Sequence, residues 1–186
     1  MFVYMNLALK EAKKAYKKGD VPVGAVIVKN GKVIAKAYNK KEKSKVATYH
    51  AEILAIQKAC KKLKTWYLTD CELYVTLEPC LMCAGAILQS RISKVYYATT
   101  NTKFGYVSSI DSILNSKNNH KVEVYEGMRK EQSQKLLTDV DVTYKVLSNN
   151  TEDWKLPGVY KLTDTNKVQI EVKVYGKTFT VSVENE

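Results

Sequence analysis

Two short motifs thirty residues apart, His50-Ala51-Glu52 and Pro79-Cys80-Leu81-Met82-Cys83, can serve one purpose only if the chain brings them to a single point. Cys80 and Cys83 stand at i and i+3, so a short helix presents both sulfurs on one side. His50 and Glu52 stand at i and i+2 and do not face each other in mid-helix, so both reach one site only if it lies off a helix N-terminus. Two thiolates and one imidazole make three ligands, and zinc in a catalytic site has three protein ligands with water in the fourth position. Bound zinc lowers the pKa of water to about 7, and a helix N-terminus favours thiolate and hydroxide further. Glu52, a carboxylate beside such a water and not itself a ligand, can take its proton and hand it on.

Two other readings of these residues stay open. A structural zinc site needs a fourth ligand from the two remaining cysteines, Cys60 or Cys71. Cys60 lies ten residues along the helix from His50, about 15 Å away at roughly 1.5 Å of rise per residue, which makes it a poor candidate; Cys71 has no such obstacle. A dithiol redox motif is the second, and it leaves His50 and Glu52 without a purpose. Outside the motif both cysteines read as buried small apolar residues.

The hydrophobic pattern supplies the elements. Tyr4–Lys18 carries Tyr4, Ala8, Ala12 and Ala15 at helical spacing, with Gly19 as a stop. Val23–Val28 and Lys32–Tyr38 are β-rich runs around Asn30-Gly31, a strong hairpin signal. Asn39–Thr48 reads as a loop, and His50–Lys62 as a helix with Ile53, Leu54 and Ile56 on a broad apolar face. Glu72–Leu77 is a strand that runs into Pro79, which is favoured at the first helical position and so begins a helix over Cys80–Gln89. Strands at Lys94–Thr99 and Val122–Tyr125 flank a long polar loop, Thr100–Asn119, and Met128–Thr138 is a short helix. That order indicates a mixed sheet with helices on its faces. Beyond Asp139 the character changes to period-2 runs, Val140–Val146, Val168–Val174 and Thr178–Val183, with Gly176 available for a turn. At that length this β-rich tail of unknown role is marginal alone, which suits docking on the core, swapping with another subunit or binding a partner. The chain therefore divides into residues 1–139 and an extension over residues 140–186.

Composition sets the class of partner. The chain of 186 residues carries a net charge of +11, and hydrophobic residues at 45% are enough for a core. The charge is uneven: residues 1–139 hold 24 basic and 12 acidic side chains, whereas the extension holds 6 and 7. Such an excess concentrates polyanions, nucleic acid first among them, and Arg91 and Arg129 are the only arginines, so the attraction is of the point-charge kind. A well-solvated lysine surface is the plainer reading. No apolar run approaches the roughly 20 residues that cross a bilayer, and Met1–Lys10 lacks the form of a signal peptide, so a soluble cytoplasmic protein is expected.

The pairing of H-x-E with P-C-x-x-C is a signature of zinc nucleobase deaminases. With Thr76-Leu77-Glu78-Pro79 before the cysteines and Ala84-Gly85-Ala86 after them, the stretch Asp20–Asp139 resembles bacterial tRNA-specific adenosine deaminases of the cytidine deaminase superfamily. The likeness extends to Val21-Pro22-Val23-Gly24-Ala25-Val26, Ser90-Arg91-Ile92 and Asn119-His120-Lys121-Val122-Glu123. It implies a three-layer α/β/α cytidine-deaminase-like fold around a five-stranded mixed sheet, a homodimer, and hydrolysis of adenosine to inosine in RNA at the wobble position of a tRNA anticodon. His50, Cys80 and Cys83 would hold zinc (Zn2+), and Glu52 would shuttle protons as zinc-bound hydroxide attacks the ring. Asn39 matches an asparagine that contacts the target nucleoside, and the backbone at Ala51 would read the base edge. A base inside a duplex cannot reach such a pocket, so the partner would be an anticodon loop or another single-stranded nucleic acid.

Several residues carry plainer alternatives. Asn39 suits a turn, His120 a surface loop, and Trp66 and Tyr67 packing. Lys40, Lys41, Lys43 and Lys45 form either a phosphate-binding rim or a solvated loop. Two departures from the family bear on the substrate. Asn101 stands where family members often carry an aspartate, and Leu137-Thr138-Asp139 leads into Val140-Asp141-Val142-Thr143 in place of a terminal helix with paired aromatics and arginines. The same chemistry on guanine, a cytosine nucleotide or single-stranded DNA is therefore a second hypothesis. A non-catalytic, zinc-stabilised nucleic-acid-binding module is a third, and Glu52 disfavours it.

Overall fold

The computed structural model describes residues 1–138 with their side chains and, beyond them, the backbone of three strands at Thr143–Val146, Lys167–Val174 and Lys177–Glu184. The first part is a five-stranded mixed sheet with helices on both faces, as expected. Its strands are β1 (Gly24–Lys29), β2 (Lys32–Tyr38), β3 (Cys71–Leu77), β4 (Lys94–Thr99) and β5 (Glu123–Glu126), in the order β2-β1-β3-β4-β5. β1 runs antiparallel to β2 and β3, while β3, β4 and β5 are parallel.

The two-residue turn Asn30-Gly31 closes the first hairpin with both φ angles positive, +48° and +72°, as a type I′ turn requires. The central strands are buried on both faces, so they read as nearly continuous apolar runs and sort their side chains by parity. Ala25, Ile27, Leu73, Val75, Val95 and Tyr97 point to one layer. Val26, Val28, Tyr74, Tyr96 and Ala98 point to the other. The first layer is closed by α3 (Ala51–Leu63) and α4 (Leu81–Gln89), the second by α1 (Phe2–Tyr16) and α5 (Lys130–Thr138).

α1 buries Met5, Ala8, Leu9, Ala12 and Ala15 at helical spacing, and Gly19 ends its exit turn with φ +70°. Its small residues let β1 come very close. A Cβ on Gly24 would overlap the Ala8 carbonyl oxygen and the Ala12 amide nitrogen. The face of α3 that enters the core is made of Ala51, Ala55, Ile56 and Ala59, whereas Ile53 and Leu54 are only half-buried. Small side chains win there because the helix lies close on the sheet.

Two local expectations change. Within the segment read as a loop, Lys41–Ser44 forms a short helix, α2. Its start is held by Asp20, whose Oδ2 accepts the N–H groups of Glu42 (2.9 Å) and Lys43 (3.4 Å). That cap comes from over twenty residues upstream, where no local pattern reveals it. Pro79 does not occupy the first helical position either. Cys80 is the N-cap, extended at φ −75° and ψ 173°, and Pro79 precedes it. The reason is an isolated antiparallel bridge between Cys80 and Gly105, which holds the cysteine in strand geometry for one more residue.

In the extension, β6 (Thr143–Val146), β7 (Lys167–Val174) and β8 (Lys177–Glu184) pair antiparallel in that order, with Val172 opposite Phe179 and Tyr144 opposite Val172. The period-2 runs are thus strands, in a three-stranded sheet. Residues 140–142 and the turn assigned to Gly176 lie outside the described residues.

The Gly24 contact makes a quantitative expectation. Gly24→Ala forces α1 off β1 and costs about 3 kcal/mol of unfolding free energy, the scale of a strongly overpacked core. Gly85→Ala, inside α4 where a new Cβ meets nothing within 4 Å, stabilises by about 0.5–1 kcal/mol. Urea denaturation of the two variants checks both signs.

Candidate active site

The two motifs meet where α3 and α4 begin. His50 is the N-cap of α3, extended at φ −77° and ψ 153°, and its carbonyl accepts the N–H of Leu54 at 3.0 Å. Cys80 is the N-cap of α4, its carbonyl accepting the N–H of Ala84 at 2.8 Å, and Cys83 lies in the first turn. Both helices therefore begin at one place, where the positive ends of their dipoles favour negative charge.

His50 Nδ1 lies 3.7 Å from Cys80 Sγ and 3.6 Å from Cys83 Sγ, and the three ligand atoms fall within 4.8 Å of one another. Among the described residues no other His, Cys, Asp or Glu completes the group. Cys71 is buried in the core at the start of β3, far along the strand from the Leu77 end that faces the site, and Cys60 lies near the end of α3. Neither can be the fourth ligand of a closed structural site.

The protonation chemistry of the donors fits a divalent cation. A hydrogen bond from Cys83 draws the Cys80 thiol down to about 4 against the cost of burial, with help from His50. Cys83 moves the opposite way, pushed up by that same hydrogen bond, by burial and by the nearby Glu52. His50 is raised mainly by its hydrogen bond to Cys80. Without a cation the two sulfurs thus share one proton; a 2+ charge between them would let both ionise. Glu52, second residue of α3, is 4% exposed and burial pushes it up to about 7. It is a carboxyl poised to hold or release a proton near neutral pH.

His50, Glu52 and Cys80 line a cleft of about 640 Å³, whose other lining residues include Val21, Asn39, Lys41, Asn101, Lys103 and Phe104. Asn39 and Ala51, the two expected substrate contacts, are bonded to each other. The Ala51 N–H donates to Asn39 Oδ1 at 2.8 Å, and the Asn39 N–H donates to the Val23 carbonyl at 3.0 Å. Because an amide N–H can only donate, the carbonyl end of the Asn39 side chain is fixed and its Nδ2 remains as the donor at the cleft wall.

Of the four lysines in the neighbouring loop, Lys41 lines the cleft; Lys40 packs over the Tyr38 ring at 5.3 Å and Lys45 pairs with Glu42 at 3.8 Å. His120 is a structural residue whose Nε2 sits 2.7 Å from the Ile92 carbonyl. Trp66 and Tyr67 stack on each other, centroids 3.6 Å apart, beyond the end of α3.

The residue that sequence reasoning missed is Glu78. Its carboxylate is buried and accepts the N–H groups of Asn101 (2.8 Å), Val107 (3.1 Å), Ser108 (2.7 Å) and Ser109 (2.9 Å), with the Ser109 hydroxyl added. Burial alone would raise it, but the Asn101 N–H and the Ser109 and Ser108 donors outweigh that and hold it below the usual carboxylate range. A Cβ on Gly105 would collide with this carboxylate. The available signal was an acid directly after the apolar end of a strand and just before Pro79-Cys80. Asn101 keeps what an aspartate would do for the turn: its Oδ1 accepts the Phe104 N–H at 3.2 Å.

Comparison with known proteins agrees with this geometry. The model of the MafB19-like deaminase family matches residues 1–140. A tRNA-specific adenosine deaminase of Aquifex aeolicus (strain VF5) is 48% identical over 148 residues, 79% of this chain and 95% of that protein. One from Bacillus subtilis (strain 168) is 47% identical over 131 residues, 70% of this chain and 81% of that protein. A solved structure from studies of A-to-I editing by tRNA:A34 deaminases at the wobble position of transfer RNA superposes with a TM-score of 0.71 at 40% identity, covering 74% of this chain and all of the other.

Burial of Glu52 sets a pH dependence in the metal-free protein. Its folded pKa, about 7, lies above the ordinary 4.5, so its contribution is fully present below 4.5 and is lost as pH rises through 7. After chelation, Glu52→Gln is therefore more stable than the parent at pH 8, by about 3 kcal/mol, and equal to it at pH 4. Chemical denaturation at the two pH values measures the difference.

Proposed function

The chain belongs to the tRNA-specific adenosine deaminase family, and from that membership we propose that it hydrolyses adenosine to inosine in RNA at the wobble position of a tRNA anticodon, with zinc as its cofactor. The observation that carries this reading is a centre of three donors, open on one side, with a buried carboxyl that is not a ligand beside it in a lysine-flanked cleft. Held by His50, Cys80 and Cys83, zinc supplies the Lewis acidity that lets a water ionise near neutral pH.

The chain's own residues do the rest. Glu52 takes the proton of the attacking water and delivers it to purine N1, then relays a second proton to the amino group leaving C6 as ammonia. Its burial keeps bulk water from levelling its pKa, so it can both accept and donate. Asn39 Nδ2 meets the base edge, and Ala51 acts on the base through Asn39, whose amide it orients. Lys41 and Lys103 meet flanking phosphates as point charges.

In this reading residues 1–139 are the deaminase domain and residues 140–186 an appended β unit. The active form is a homodimer; an open groove of about 530 Å³ between α3 and α4, lined by Ile53, Ile56, Trp66 and Ala86, supports a covered face there. No helix among the described residues is long and apolar enough to cross a membrane, and a tRNA substrate places the reaction in the cytoplasm.

Nucleoside analysis of an anticodon stem-loop after incubation with the metal-loaded protein tests the assignment. Inosine is expected, at a rate that falls with ionic strength. Glu52→Ala lowers that rate by about 10³-fold or more while the metal content, read by atomic absorption, stays at one per chain. Retention of metal with no inosine from any RNA loop would sink the assignment.

A further inference from the structure

One side chain on the cleft has no part in the chemistry above. Phe104 is 66% exposed, yet nothing about its backbone is loose. Its N–H is held by Asn101 Oδ1, and the Gly105 N–H returns to the Asn101 carbonyl at 2.7 Å. Gly105 is bridged to Cys80 and has no room for a side chain against Glu78, and the Tyr106 N–H donates to the Pro79 carbonyl at 3.0 Å. The fold thus fixes an aromatic residue immediately before the glycine that is bridged to a candidate metal ligand, and leaves its ring largely in solvent.

We propose that Phe104 is a stacking platform for the nucleobase adjacent to the reacting adenosine, and so a determinant of which single-stranded loops the protein accepts. The proposal rests on reading the cleft as an RNA site. Depth decides which base meets the ring. Glu52 is 4% exposed, so the reacting base must descend past the mouth, and a largely exposed ring at the cleft can meet only what stays outside. Val21, 38% exposed, lines the same cleft, and so do the cations Lys41 and Lys103, the latter the chain neighbour of Phe104. The acids that line the cleft, Glu52 and Glu78, are both buried, and Glu42, 3.9 Å from Lys41, offsets part of that lysine's charge while Lys103 keeps its own. An exposed aromatic with cations beside it is the pairing that grips a single strand, because every base offers a π-face once it is unstacked.

The test is a two-by-two binding cycle on the metal-loaded protein, read by fluorescence anisotropy. Wild type and Phe104→Ala are titrated with an anticodon stem-loop that is intact or abasic at the nucleotide on either side of the target. One of the two abasic positions is expected to weaken wild-type binding about tenfold and to leave the affinity of Phe104→Ala unchanged, with Phe104→Trp restoring the wild-type response. The proposal is overturned if both abasic loops cost Phe104→Ala the same factor as wild type, or if Phe104→Ala binds the intact loop as tightly as wild type. The cycle reads binding and not turnover. A coupled cycle without inosine would strike the deamination reading and spare the platform; inosine with an additive cycle would do the reverse.

Discussion

A carboxylate taken out of water is costly unless its oxygens find donors, and Glu78 meets that condition with the backbone of the loop across the cleft. Four amide N–H groups between Asn101 and Ser109 converge on it. The consequence reaches the metal centre directly, because Glu78 is two residues before Cys80 and Gly105 of the same loop is bridged to that cysteine. One buried charge thereby ties the end of β3, the start of α4 and the cleft wall that carries Lys103 and Phe104. Without it Cys80 would lose the loop that is tied to the acid two residues before it.

The centre itself balances opposing demands. Two helix N-termini and a buried setting favour negative charge and penalise it at once: the dipoles attract anions while desolvation resists them. Among Cys80, Cys83, His50 and Glu52 the metal-free compromise is one low thiol, one high thiol and a carboxyl near 7. A divalent cation held by His50, Cys80 and Cys83 would resolve the conflict at the sulfurs, and Glu52 would be the group whose proton can move. That is why the same four residues suit hydrolysis better than a sealed structural site.

Function adds a polyanion to this picture. In the proposed function, the positive excess of residues 1–139 would draw nucleic acid without choosing a sequence, and the cleft is where choice would begin. Asn39 sits in it with its orientation set by Ala51, and Lys41 is brought to it by α2, which exists because Asp20 caps it. Each contact that would select a substrate is thus supported by a residue that does not touch one.

Much of this was legible from spacing alone. The hairpin at Asn30-Gly31, the mixed sheet with helices on its faces, the helices at His50 and Cys80 and the three candidate donors follow from local rules: turn geometry, hydrophobic period and motif spacing. Those rules act within a few residues, so a single chain displays them. What could not be read that way were the cap on α2 from Asp20, the bridge that moves Pro79 out of the helix, the bond between Asn39 and Ala51, and the loop gathered on Glu78. Each joins segments 12 to 31 residues apart, through partners whose pairing depends on the sheet having already assembled. Residue order was sufficient to name the chemistry; the folded chain was needed to say which groups are spent on one another and which are left to face a substrate.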